Sequence, residues 1–170
     1  ALMKILVINE LLEKKHIDLI NSSAEKYGAK VFFYKNEKEI PSDNFDADII
    51  YGFAPSIVNT SKKLKWLCVP WAGVDSIMKP NYFANEECLL TNSAGAYGVS
   101  IAEHMIAVSL MMMRRLNEFF AETMNGKWLY PRPQKSLKDC RITVLGTGDI
   151  GTNFAKRAKA FEPKIITGVC

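Results

Sequence analysis

Short apolar runs alternate with stretches of helical period along most of this chain. Met3-Lys4-Ile5-Leu6-Val7-Ile8 is such a run, consistent with a buried parallel strand. Leu12, His16, Leu19, Ile20, Ala24 and Tyr27 then trace one helical face. Asn9 is placed to cap that helix, and Gly28 to end it in a left-handed turn. Further strands are expected at Val31–Tyr34, Asp48–Tyr51, Trp66–Val69 and Cys88–Thr91, with a short helix over Ser56–Lys63. Strands alternating with helices predict an α/β fold with a parallel sheet. Ligands of such sheets lie beyond the carboxyl ends of the strands. That rule singles out the turns Gly52–Ala54, Trp71–Asp75 and Asn92–Gly95.

The next predicted element is one long helix from Ser100 to Asn125, opened by a Ser100/Glu103 capping box and closed by Asn125-Gly126. Its first half is apolar nearly all round, which predicts burial on most sides, and its second half is amphipathic. The surplus of apolar surface predicts an interface with a second lobe or another subunit. Leu129–Lys135, with two prolines, reads as a linker. Arg141-Ile142-Thr143-Val144-Leu145 then runs directly into Gly146-Thr147-Gly148-Asp149-Ile150-Gly151, and Ile150, Phe154 and Ala158 continue at helical spacing. Strand, glycine turn and helix in that order are the context of a dinucleotide-binding fingerprint. Gly146 would permit the tight turn, Gly148 a close approach of backbone to pyrophosphate, and Gly151 close packing of helix on strand. The competing reading is a tight strand-to-helix turn with no ligand. The second strand, Lys164–Cys170, carries no acidic residue for a ribose 2′-hydroxyl, and a βαβ start lacks the βαβαβ of a mononucleotide half-site. The chain therefore reads as the front part of a longer protein, cut inside its nucleotide domain.

Composition changes this picture little. Of 170 residues, 48% are hydrophobic and 24% charged, ordinary for a globular protein with a sizeable core. The net charge of +4 is dispersed, with no basic stripe interleaved with aromatics, so nucleic acid is not an expected partner. The apolar stretch Met105–Met113 is too short to span a bilayer. The four cysteines have no C-x-x-C spacing, and neither they nor the histidines form a metal-ligand pattern. With no signal-peptide pattern, a reducing, cytoplasmic location is expected.

Candidate chemistry is sparse. His16 and His104 are the only histidines. His104 follows Glu103, but adjacent helical residues point about 100° apart, so helix capping and packing are the expected uses. Asp75 is placed to cap a helical turn, and Asp149 sits in the favourable field of a helix N-terminus. Ala72-Gly73-Val74 can expose backbone amides as a nest for a carboxylate, or can be an ordinary turn.

Six motifs in order resemble the D-isomer-specific 2-hydroxyacid dehydrogenases. They are Leu64–Leu67, Ala72–Asp75, Thr91–Gly95, Ile101–His104, Gly126–Trp128 and Gly146–Gly151. The resemblance implies a flavodoxin-like parallel-sheet lobe at residues 1–98, an inter-lobe and dimer helix with linker at 99–136, and the start of a Rossmann lobe at 137–170. It implies an active site between the lobes and interconversion of a D-2-hydroxy acid with its 2-oxo acid, such as glyoxylate, hydroxypyruvate or pyruvate, by NAD or NADP. By the same resemblance, the Gly73 and Val74 amides would hold the substrate carboxylate, with Ala72 near both substrate and nicotinamide. Gly146, Gly148, Asp149, Ile150 and Gly151 would serve the cofactor, and the helix Ser100–Asn125 would join two subunits. Asp149 departs from the usual arginine and removes a possible phosphate partner. The family's catalytic arginine, glutamate and histidine would lie beyond Cys170, so no catalytic residue is expected within 1–170. Without an acid at Val169 or Cys170, NADP is favoured slightly over NAD. One other reading remains open, a non-catalytic dinucleotide-sensing or partner-binding protein on this scaffold; the half-complete fingerprint argues against a third, a free-standing flavodoxin-like binding domain.

Overall fold

The computed structural model describes residues 2–128, 130 and 132–170. The chain divides into two compact units, Ala1–Ala94 and Gly95–Cys170.

The first unit contains β1 (Met3–Ile8), α1 (Lys14–Lys26), β2 (Ala29–Tyr34), β3 (Ile49–Tyr51), α2 (Pro55–Val58), β4 (Trp66–Cys68) and β5 (Leu89–Thr91). The five strands form one sheet in the order β2-β1-β3-β4-β5, and all neighbours are parallel. This is the flavodoxin-like order, as the resemblance implied. Alternation along the strands sends Leu6, Ile8, Ile50 and Leu67 to one face, where they pack with Ile57, Val58, Leu64 and Ile77 in a dry core. On the other face, Ile5, Val7, Ile49, Tyr51, Trp66 and Cys68, with Leu19 and Ile20 of α1, line a groove of about 620 Å³. Trp66 and Leu89 are 38% and 57% exposed while Val7 is buried, so this second face is covered only in part.

Helix α1 begins later than expected. Asn9 accepts the Leu11 amide at 2.8 Å in a local turn, and the N-cap is Glu13. Its carboxyl end behaves as expected: Gly28 takes a φ of +61° and donates to Glu25 O at 3.1 Å. The helix expected over Ser56–Lys63 is the single turn α2.

The second unit comprises α3 (Gly98–Met113), α4 (Leu116–Met124), β6 (Arg141–Leu145), α5 (Asp149–Ala158) and β7 (Ile165–Val169). Strands β6 and β7 pair in parallel, Leu145 opposite Val169. Ala102 of α3, Val144 of β6, and Phe154 and Ala158 of α5 make the core, flanked by Ile106, Ile142 and Ile166.

Three expectations for the long helix are corrected. It is two helices, not one running from Ser100 to Asn125, because Arg115 adopts a left-handed φ of +55°. The linker explains the break. Lys135 N–H donates to Met113 O at 3.0 Å, so that open carbonyl of α3 is satisfied without another turn, and Arg114 Nε donates to Gln134 Oε1 at 2.7 Å beside it. The Ser100/Glu103 capping box does not form. Ser100 lies inside α3 and donates to Tyr97 O at 3.2 Å, while Glu103 meets Arg157 at 3.5 Å. The first half is not buried on most sides either: only Gly98 and Ala102 of α3 are buried. The closure at Asn125-Gly126 does form, with Gly126 at φ +64° and Lys127 N–H returning to Glu122 O at 2.9 Å. Leu129 and Pro131 of the expected linker lie outside the described residues.

Candidate functional site

In the first unit, the chain leaves β4 through Val69, whose amide donates to Thr91 O at 2.9 Å, so the exits of β4 and β5 stay side by side. Trp71 packs edge-on against Phe53, with ring centroids 5.4 Å apart. That contact joins the turn after β4 to the turn after β3. Ala72 and Gly73 are exposed and Val74 half-buried. Val74 O accepts from the Ile77 and Met78 amides at 3.0 Å each, starting a helical turn. Among the described residues, the Gly73 and Val74 amides donate to no acceptor, and a Cβ on Gly73 would meet open space. Successive free amides of this kind are what an anion-binding nest offers.

The strand beside the nest braces it. Asn92 Nδ2 donates to Ala72 O at 2.6 Å, while Asn92 Oδ1 accepts the Ala94 amide at 3.3 Å. Ser93 N–H donates to Trp71 O at 3.1 Å. A cavity of about 450 Å³ opens here, lined by Val74, Met78, Leu90, Thr91 and Asn92. Asp75 is exposed and its side chain caps nothing among the described residues; the Val74 carbonyl has that task.

In the second unit, the fingerprint turn takes the shape its spacing predicts. Gly146 has a φ of +89° and donates to Val169 O at 2.8 Å. Gly151 is confined: a Cβ there would collide with the Gly146 carbonyl and press on Val144. A Cβ on Gly148, by contrast, would meet nothing. Gly148 is the N-cap of α5, and its carbonyl accepts the Thr152 amide at 2.9 Å. Among the described residues, the amides of Asp149, Ile150 and Gly151 are left without acceptors, as an anion-binding helix start requires. The donor set fits a pyrophosphate.

The Asp149 carboxylate accepts from Asn153 Nδ2 at 2.9 Å. It also lies so close to Gly98 that a Cβ there would collide with it, which gives Gly98 a reason the sequence did not show. At the end of β7, Cys170 Sγ lies 2.8 Å from Thr147 Oγ1. A cysteine thus stands beside the fingerprint turn.

Neither histidine joins a catalytic group. His16 Nδ1 accepts the Glu13 amide at 3.2 Å, a structural use. His104 is exposed on α3 with no hydrogen-bond partner among the described residues. All four cysteines are free. Among the described residues no His, Cys, Asp and Glu group could hold a metal, and no helix is long and apolar enough to cross a membrane.

A flavodoxin-like parallel sheet followed by a βαβ unit with a glycine fingerprint defines an α/β protein of Rossmann type. Residues 106–168 match the family model described as D-isomer specific 2-hydroxyacid dehydrogenase, NAD binding domain. The chain is 34% identical over 130 residues to formate dehydrogenase 1 of Saccharomyces cerevisiae, covering 70% of this chain and 34% of that protein. It is 26% identical over 170 residues to D-3-phosphoglycerate dehydrogenase of Archaeoglobus fulgidus, covering 96% of this chain and 32% of that one. Among solved structures, a D-isomer specific 2-hydroxyacid dehydrogenase family protein from Aeromonas salmonicida superposes with a TM-score of 0.80 at 24% identity, over 100% of this chain and 54% of that one. The likeness of the chain, in its second unit above all, is to the D-isomer-specific 2-hydroxyacid dehydrogenase family. The chain spans about a third of the length of these two curated relatives.

Proposed function

We propose that the whole protein is an NAD(P)-dependent oxidoreductase interconverting a small D-2-hydroxy acid and its 2-oxo acid. Residues 1–170 supply its carboxylate-binding turn and its pyrophosphate-binding turn. The observation that carries this is the pairing, in one chain, of two sets of open amides: Gly73 and Val74 at the exit of β4, and Asp149 to Gly151 at the start of α5. The first set suits a carboxylate and the second a pyrophosphate. Ala72, beside the first set, serves substrate and nicotinamide. Gly146 shapes the second turn, Gly148 admits the pyrophosphate, and Gly151 seats the helix. The dinucleotide supplies or accepts hydride. Acid–base chemistry is assigned to groups outside this segment, since a proton donor must come within hydrogen-bond reach of the substrate oxygen and His16 is engaged at the start of α1.

The test is loss of reduced-nicotinamide absorbance by the full-length protein with glyoxylate, hydroxypyruvate and pyruvate. Turnover is expected from the full-length protein and none from residues 1–170. Tight dinucleotide binding without turnover of any 2-oxo acid would favour the non-catalytic sensor instead. Because Cys170 and Thr147 stand where a ribose-binding acid would be, NADPH is expected to be used at least as well as NADH. Cys170→Asp should shift the ratio of kcat/KM toward NADH by about tenfold or more, since an acid there accepts from the 2′-hydroxyl and repels a 2′-phosphate. A strong NADH preference in the wild type would refute this assignment.

The apolar surface of α3 and α4 is assigned to association of two copies of the protein. Met112, Leu116 and Phe120 are 69%, 52% and 69% exposed, more apolar surface than a lone helix pair leaves in water without a partner.

A further inference from the structure

We propose that Asn92 is a positioning residue: its side-chain amide latches the carboxylate-binding turn so that the Gly73 amide points at the substrate carboxylate. The proposal rests on the reading of that turn given above. It begins from a mismatch in how the turn is held. The turn leaves β4 with few restraints of its own. Its open amides take no protein acceptor among the described residues, and Gly73 has no contact where a side chain would stand. An amide nest of this kind binds well only if its donors are already aimed, because any ordering is subtracted from binding. The ordering has to come from a neighbour.

Asn92 is that neighbour. It follows β5, whose pairing with β4 ends at Cys68 and Thr91, so the backbones of the two exits run side by side. Its Nδ2 donates to Ala72 O at 2.6 Å, directly on the peptide that precedes the Gly73 amide. Fixing that carbonyl fixes the plane of the Ala72–Gly73 peptide, and with it the direction of the Gly73 N–H. The Asn92 side chain is itself aimed from behind, since its Oδ1 accepts the Ala94 amide at 3.3 Å. The Ser93 amide holds Trp71 O at 3.1 Å, so both peptides ahead of the nest are pinned from the β5 side. Asparagine is the side chain that can do this: it donates and accepts at once. Aspartate in the same place would present an acceptor to a carbonyl. Asn92 also lines the cavity beside Val74, so the latch forms part of the wall a substrate would meet.

The experiment uses the full-length protein carrying Asn92→Ala, Asn92→Asp and, as a control on the turn, Gly73→Pro, which deletes one nest donor. Each is assayed against a 2-oxo acid and against its methyl ester, and dinucleotide affinity is measured by quenching of protein fluorescence. For both Asn92 variants, KM for the acid is expected to rise about tenfold while kcat falls less than threefold. The ester reaction and dinucleotide affinity should stay within twofold of wild type. A purely structural role would move acid and ester together. If Gly73→Pro raises KM for the acid and neither Asn92 variant does, the latch is wrong and the carboxylate reading stands. If Gly73→Pro also leaves KM unchanged, the carboxylate reading fails and takes the latch with it.

Discussion

Asp46 and Asp48 anchor the polar edge of the first unit's sheet, and they show how single residues tie this fold to pH. Asp46 accepts from Lys4 Nζ and from Lys63 Nζ at 3.0 Å. Those bonds, Lys4 first, hold its carboxyl at about 2, below its ordinary 3.8. For Asp48, burial works to raise the value but is outweighed by the bond from the Lys4 amide at 2.9 Å and by Lys65 Nζ at 3.1 Å. Both folded-state values are depressed, so both carboxylates contribute stability that is complete above the unfolded value. It is lost as pH falls through the folded one. Melting temperature should therefore drop between about pH 4 and pH 2, and Asp46→Asn should flatten that drop. Parallel curves for wild type and variant would show that the Lys4 and Lys63 contacts do not discriminate folded from unfolded chain.

At the scale of elements, the second unit turns on how closely two helices approach. Gly98 begins α3 and Asp149 begins α5, and the carboxylate of one occupies the space a side chain on the other would need. Gly98→Ala should force that carboxylate aside, break its bond from Asn153, and cost about 1–3 kcal/mol as overpacking does. Asp149→Ala should recover part of the loss, giving a coupling of roughly 0.5–3 kcal/mol in a double-mutant cycle read by urea unfolding of residues 1–170. Additive costs would mean the two helix starts do not sense each other. The break at Arg115 belongs to this scale too. Arginine is a good helix former, and Arg114-Arg115 gives no local signal to stop. The helix ends where Lys135 returns to satisfy the Met113 carbonyl.

At the scale of the whole molecule, α3 and α4 leave much of their apolar surface in water. A cavity of about 710 Å³ lies there, lined by Met111, Leu116, Phe119 and Phe120 with Asn117 and Thr123. Because Met112 and Leu116 are largely exposed, replacing both with Lys should leave the fold of the chain intact while abolishing self-association of the full-length protein. Circular dichroism would check the first expectation and sedimentation the second. An oligomer of unchanged size would remove these helices from the interface.

Much of this architecture was readable from nearest neighbours in the chain. Strand–helix alternation announced the parallel sheet, and the glycine spacing at 146, 148 and 151 announced the turn into α5, because period and backbone freedom are properties of a few consecutive residues. Gly28 and Gly126 ended their helices for the same reason. Contacts distant in sequence decided the rest. The bond from Asn92 to Ala72 spans 20 positions, and only the pairing of β4 with β5 brings them together. The apparent capping box at Ser100 failed because α3 starts earlier, at Gly98, where it packs against α5. Local pattern offered Ser100 as a cap, but the helix start was chosen by what α3 had to meet.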